Sequence, residues 1–187
     1  ILQINIFTAK SSSLGSILIS SNYILIQIQS IISYMFDGIA NTSSVYSGKS
    51  FGEKDLNLLK ATIIKNMKYS FIFIIALTSV YLIFNKNFIN LFTDNSEVLN
   101  YSYKYYFWVA LYPAISAIGL TFYGIFTGAS FNKPIFISTF LSLCLFLAIL
   151  FLTFDRFNNN GLWISLLAFY LGRSVFILPF IKTLFNK

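Results

Sequence analysis

In the stretch SYMFDGIANTS, residues 33–43, a carboxylate interrupts a run otherwise apolar enough to sit in hydrocarbon. Asp37 is one of two charges set inside long apolar runs; the other is Arg173, in ISLLAFYLGRSVFILPF. Acids are expensive to hold within a membrane, so those found there face a bundle interior or a wet cavity, where they bind cations, carry protons or meet a substrate. Gln27, Ser30, Tyr34, Asp37, Asn41, Ser44 and Gly48 follow one another at steps of 3, 4, 3, 4, 3 and 4. That spacing sets all seven on one side of an α-helix. At about 1.5 Å per residue, Asp37 lies roughly 18 Å from the polar end at Lys49, and Arg173 roughly 14 Å from Lys182. The two charges therefore reach comparable depths. Arg173 either pairs with Asp37 or snorkels to the interface and anchors its helix. Asp37 has a plainer alternative too, as an acid held by a neighbouring helix to fix packing.

Composition decides which solvent positions these groups. Hydrophobic residues make up 57% of the chain and charged residues 10%, far below the roughly 25% charged residues of a soluble domain. The 187 residues have room for about five or six membrane-spanning helices of ~20 residues. The chain begins inside an apolar run without an initiator methionine, and is expected to be a C-terminal piece of a longer protein. With 0 histidines, the commonest metal ligand is absent, and proton chemistry falls to carboxylates. The single Cys144 cannot form an internal disulfide and is expected to pack as a small apolar residue. No cofactor is implied beyond a coupling ion. No second carboxylate, histidine or nucleophile–base pair converges on Asp37, which argues against an enzyme.

Polar punctuation divides the chain into an incomplete first helix at about 1–8, then helices at about 16–48, 56–84, 98–129, 135–154 and 161–185, with a break expected at Asn85, Lys86 and Asn87. Continuous apolar runs specify helices rather than the alternating strands of a barrel, so the fold class is an all-α membrane protein. The net charge of +7 reflects topology here and not a nucleic-acid partner. Lys49, Lys54, Lys60, Lys65, Lys68, Lys133, Lys182 and Lys187 fall on one side, against Lys10, Lys86, Lys104 and Arg156 on the other. Eight against four favours a cytoplasmic C-terminus. Tyr101, Tyr103, Tyr105, Tyr106, Trp108 and Tyr112 then read as an aromatic belt at the outer interface.

Other motifs carry less. Gly48-Lys49-Ser50 lacks the upstream glycine of a phosphate-binding loop, having Ser43 in its place. Gly124 and Gly128 form a GxxxG pair, a sign of close helix contact, and Pro113 and Pro179 are expected to kink their helices.

Taken in order, FTAKSSSLGSILISSNYILIQIQS, SYMFDGIANTSSVYSGKSFGEKD, NLFTDNSEVLNYSYKYY, YGIFTGAS and GLWISLLAFYLGRS resemble the C-terminal half of a multidrug and toxic compound extrusion (MATE) transporter, of the branch typified by DNA-damage-inducible protein F. The likeness covers nearly the whole chain. It implies twelve helices in two six-helix lobes around a central cavity, with 1–187 forming the second lobe and an N-terminal lobe as its partner. It also implies export of organic cations or amphipathic drugs across the inner (plasma) membrane, in exchange for H⁺ or Na⁺.

The branch pattern, as the resemblance implies it, has Asn at Asn22, Asp-Gly at Asp37-Gly38 and Arg at Arg173. This chain departs from it at Ser44, where a glutamate is usual, and at Tyr123-Gly124, where Asp-Gly is usual. Asp37 is thus left as the lone membrane-depth acid of the lobe, and coupling falls to it or to the other lobe. The candidate binding set is Asp37 with Asn22, Gln27, Tyr34 and Asn41 as hydrogen-bonding neighbours and Arg173 as counter-charge. Alternatives are a flippase of lipid-linked oligosaccharides, for which only Arg173 would meet a pyrophosphate, and a non-transporting membrane scaffold, which needs no such acid.

Overall fold

A computed structural model describes residues 1–185; Lys187, counted above, lies outside the described residues. The chain folds as α1 (Leu2–Ser12), α2 (Ser16–Gly52), α3 (Leu56–Asn90), α4 (Ser96–Gly128), α5 (Asn132–Phe157) and α6 (Asn159–Ile177), closed by a 3₁₀ segment at Leu178–Leu184. No strand occurs among the described residues. Five helices, α2 to α6, are long and apolar enough to cross a membrane, so the chain is a multi-pass, all-α membrane protein.

Local chemistry sets the joints. Gly15 turns the chain from α1 into α2 at φ 106, a conformation that glycine adopts without a Cβ penalty. Asp55 caps α3 by accepting from the amides of Asn57 and Leu58, both at 2.9 Å, and Asn95 caps α4 through Glu97 and Val98. These caps satisfy amides that a helix start leaves orphaned.

The break expected at Asn85 to Asn87 is not there, and α3 runs on to Asn90. Asn85 donates to the Leu82 carbonyl, Lys86 lies over the Tyr103 ring, and the Tyr103 hydroxyl donates to Asn90. Polar side chains with such outlets extend a helix past its apolar stretch. At the other end of the chain, α6 stops short of the expected boundary. It tightens into a 3₁₀ turn around Pro179, which has no N–H to offer the α-helical ladder.

α4 is the central element. Of its most apolar window, 67% is buried, against 11% for α3 and 22% for α5, so α3 and α5 form the outer sides of the bundle. Cys144 belongs to that outer side of α5, exposed rather than packed as expected. α2 lies so close along α4 that a Cβ on Gly124 or Gly128 would overlap the Ala40 or Ser44 carbonyl, the contact that the GxxxG spacing predicted. Across α1, α2 and α6, Asn22 donates to Ser11 at 2.7 Å and to Asn159 at 2.6 Å, and accepts from Trp163 at 3.0 Å. Phe7 packs edge-on against the same Trp163 ring.

Candidate functional site

α1, α2, α4 and α6 border a half-open cavity of about 220 Å³. From α2 come Gln29, Ser30, Ser33 and Tyr34; these occupy successive turns of the stretch that leads into Asp37. α4 supplies Tyr112 and Leu120, α6 supplies Tyr170 and Arg173, and α1 closes the space with Gln3 and Ile4. Tyr170 and Arg173 are three residues apart, so the helix sets both on one face.

The polar wall is connected. Gln29 donates its amide to the Tyr170 hydroxyl at 2.9 Å, and the Tyr112 and Tyr170 rings meet edge to face at 4.8 Å. Gln29 is 3% exposed, yet its Oε1 is buried with no hydrogen-bond partner. An unsatisfied buried acceptor costs about 1–3 kcal/mol, which a bound donor would recover. Arg173 is the sole formal charge in the cavity wall, and its guanidinium stacks over Tyr123, 5.6 Å from the ring centroid.

Asp37 stands one turn beyond Ser33 and Tyr34, half-buried, and makes no hydrogen bond or ion pair among the described residues. The one ion pair found among them joins Lys49 and Glu53 at the helix end, at 3.9 Å. Asp37 and Arg173 are thus not paired.

The sequence-predicted residues divide. Tyr34 and Arg173 line the cavity. Gln27 and Asn41 share the α2 stripe with Asp37 but lie outside the cavity wall, Asn41 being exposed. Asn22 is 1% exposed, and its amide is spent on the contacts between α1, α2 and α6. Sequence reasoning missed Gln29, Ser33, Tyr112 and Tyr170. The glutamine carried a signal, being polar within an apolar run; Tyr112 was hidden in the aromatic belt. Of the aromatic residues assigned to that belt, Tyr101 is exposed and Trp108 half-buried, while Tyr105 and Tyr112 are buried. A wider, open hollow of about 560 Å³ at the far end, bordered by Thr8, Tyr23 and Thr93, has no charged wall.

A bundle of apolar spans with a polar, singly charged cavity defines a membrane protein built around a buried polar site. The MatE family model matches residues 4–152, and the chain belongs to that family, whose members are membrane transporters and not enzymes. It is similar to DNA damage-inducible protein F of Escherichia coli K12, 25% identical over 162 residues, covering 87% of this chain and 35% of that protein. It is also similar to multidrug resistance protein NorM of Aliivibrio fischeri, 26% identical over 143 residues, covering 75% of this chain and 31% of that protein. The chain spans about a third of the length of these curated relatives.

Proposed function

We propose that this chain is the C-terminal lobe of an ion-coupled efflux transporter. Packed against an N-terminal six-helix lobe in the inner (plasma) membrane, with its C-terminus cytoplasmic, it exports organic cations or amphipathic drugs in exchange for H⁺ or Na⁺. The carrying observation is Asp37: a half-buried, unpaired carboxylate within a long helix apolar enough to span a membrane, one turn from the polar cavity. An acid in such a helix with no structural partner is free to exchange a proton or cation as its surroundings change. Tyr34, Gln29, Tyr112 and Tyr170 offer hydrogen bonds and aromatic faces to a substrate, and Arg173 sets the charge balance. Gln27 and Asn41 extend the polar path along α2 toward the helix end. Asn22 keeps a positioning part, holding α2 against α1 and α6.

The family likeness supports transport in general, and the polar stripe supports a path for it. A flippase reading has less behind it, since Arg173 alone would have to hold a pyrophosphate. The test is Asp37→Asn in the full-length protein, assayed by dye efflux under an imposed pH or sodium gradient. Efflux should fall sharply at normal membrane expression, with Asp37→Glu retaining part of it. Full efflux in Asp37→Asn would reduce the acid to packing and move the coupling to the other lobe.

A further inference from the structure

We propose that the cleft between α2 and α3, at the lysine-rich end of the bundle, holds the phosphate headgroup of an anionic phospholipid. The cleft measures about 320 Å³, and α3 crosses it as the basic segment that precedes its apolar core. Four of its side chains have donors to give: Lys65, Asn66, Tyr46 and Tyr69 make no hydrogen bond or ion pair among the described residues. The wall's two threonines are already committed, Thr42 to the Gly38 carbonyl at 2.9 Å and Thr62 to the Leu58 carbonyl at 2.8 Å.

Asn66 is the informative member. It is 5% exposed and lines the cleft, and its amide makes no hydrogen bond within the protein, so its donors are free to meet a bound acceptor from a fixed, well-packed position. No carboxylate lines the cleft, so nothing in its wall neutralises Lys65. An ammonium, an amide and two phenols around one hollow make a set of donors with no acceptor charge, the complement of a phosphate.

What selects a lipid over a dissolved anion is the face on which Lys65 stands. Tyr69, Ile72, Ala76 and Ile83 follow it at steps of 4, 3, 4 and 7, all on one side of α3. All four are exposed, so the hollow opens onto an apolar stripe that runs into the hydrocarbon zone. A headgroup in the cleft would lay an acyl chain along that stripe. Tyr46 and Tyr69 carry phenols at the junction, where amphipathic rings favour the interface, and basic pockets between spans are known homes for anionic headgroups. The site is separate from the Arg173 cavity and does not depend on how transport is coupled.

The test uses the full-length protein, delipidated in detergent and titrated by native mass spectrometry with phosphatidylglycerol, phosphatidylcholine and inorganic phosphate. Wild type should bind phosphatidylglycerol in preference to phosphatidylcholine and ignore inorganic phosphate. Lys65→Gln should weaken the phosphatidylglycerol affinity about five-fold, what one lysine near a membrane surface contributes, and adding Asn66→Leu should weaken it further. Lys68→Gln, which alters an exposed lysine outside the cleft, should bind as wild type. The proposal is overturned if Lys65→Gln binds phosphatidylglycerol as tightly as wild type, if Lys68→Gln loses as much, or if inorganic phosphate binds as well as the lipid. Lys65 is exposed, so the single variant keeps the test open should the double variant fail to fold.

Discussion

The guanidinium of Arg173 rests over the ring of Tyr123, 5.6 Å from its centroid. Tyr123 is where the branch that this sequence resembles carries an acid ahead of Gly124. A π face attracts a cation without cancelling its charge, so Arg173 stays positive in a cavity wall that contains no carboxylate. Tyr123→Phe should preserve this contact and leave both stability and transport unchanged. Tyr123→Leu removes the face and should cost about 0.5–1 kcal/mol, the range for cation–π contacts at exposed sites. Tyr123→Asp offers Arg173 a counter-charge and should shift substrate preference further toward cations. Thermal unfolding in detergent reads the first two, and competition with cationic and anionic dyes reads the third.

Asn22 joins Ser11, Asn159 and Trp163 in one buried knot. Replacing it with leucine would strand three polar groups at once, each worth about 1–3 kcal/mol when left unsatisfied. Asn22→Leu should therefore lower the melting temperature and the folded yield steeply, while the molecules that do fold keep wild-type substrate affinity. Normal stability combined with weakened substrate binding would return Asn22 to the binding set.

Much of this bundle was legible in advance because the membrane simplifies the code. Long apolar runs and the Gly124–Gly128 spacing displayed their spans and their close contact directly, whereas the caps at Asp55 and Asn95 emerged only from the structure. The α2 stripe gave the face of the helix that carries Asp37, since spacing fixes a face. Spacing does not say which neighbour covers that face, and this is why Gln27 and Asn41 were grouped with residues that line the cavity while Gln29 was passed over. Tyr112 and Tyr170 needed knowledge of how α4 and α6 meet. Asn22 looked functional for the same reason: a buried amide with three partners and a buried amide awaiting a substrate are identical as letters.

Gly128 and Gly38 make opposite predictions from the same residue type. A Cβ at Gly128 would press into the backbone carbonyl of Ser44, and at Gly38 it would meet nothing within 4 Å. Gly128→Ala must push α2 from α4 and should destabilise by about 1–3 kcal/mol, the usual penalty of overpacking. Gly38→Ala lies within a helix and in open space, and should stabilise by about 0.5–1 kcal/mol. Melting temperatures of the two variants in the same detergent, moving in opposite directions, would verify the close α2–α4 contact.

Gln29 separates stability from function. Its Oε1 is buried and unpartnered, while its Nε2 donates to the Tyr170 hydroxyl at 2.9 Å. Gln29→Met keeps the length and volume of the side chain and removes the orphaned acceptor. It relieves a desolvation cost of about 1–3 kcal/mol at Oε1 but takes from the Tyr170 hydroxyl its hydrogen-bond partner, a loss of similar size. The unliganded protein should therefore stay close to wild type in stability. If the acceptor is kept for a substrate donor, the same substitution should raise KM for dye efflux by several-fold, with kcat little changed, because one hydrogen bond to the bound molecule is lost in ground and transition states alike. Tyr170→Phe strips Gln29 of its existing partner without touching Oε1, and should destabilise the protein while affecting KM less. A Gln29→Met variant with unaltered KM would assign the glutamine to packing and leave Tyr34, Tyr112 and Arg173 to carry recognition.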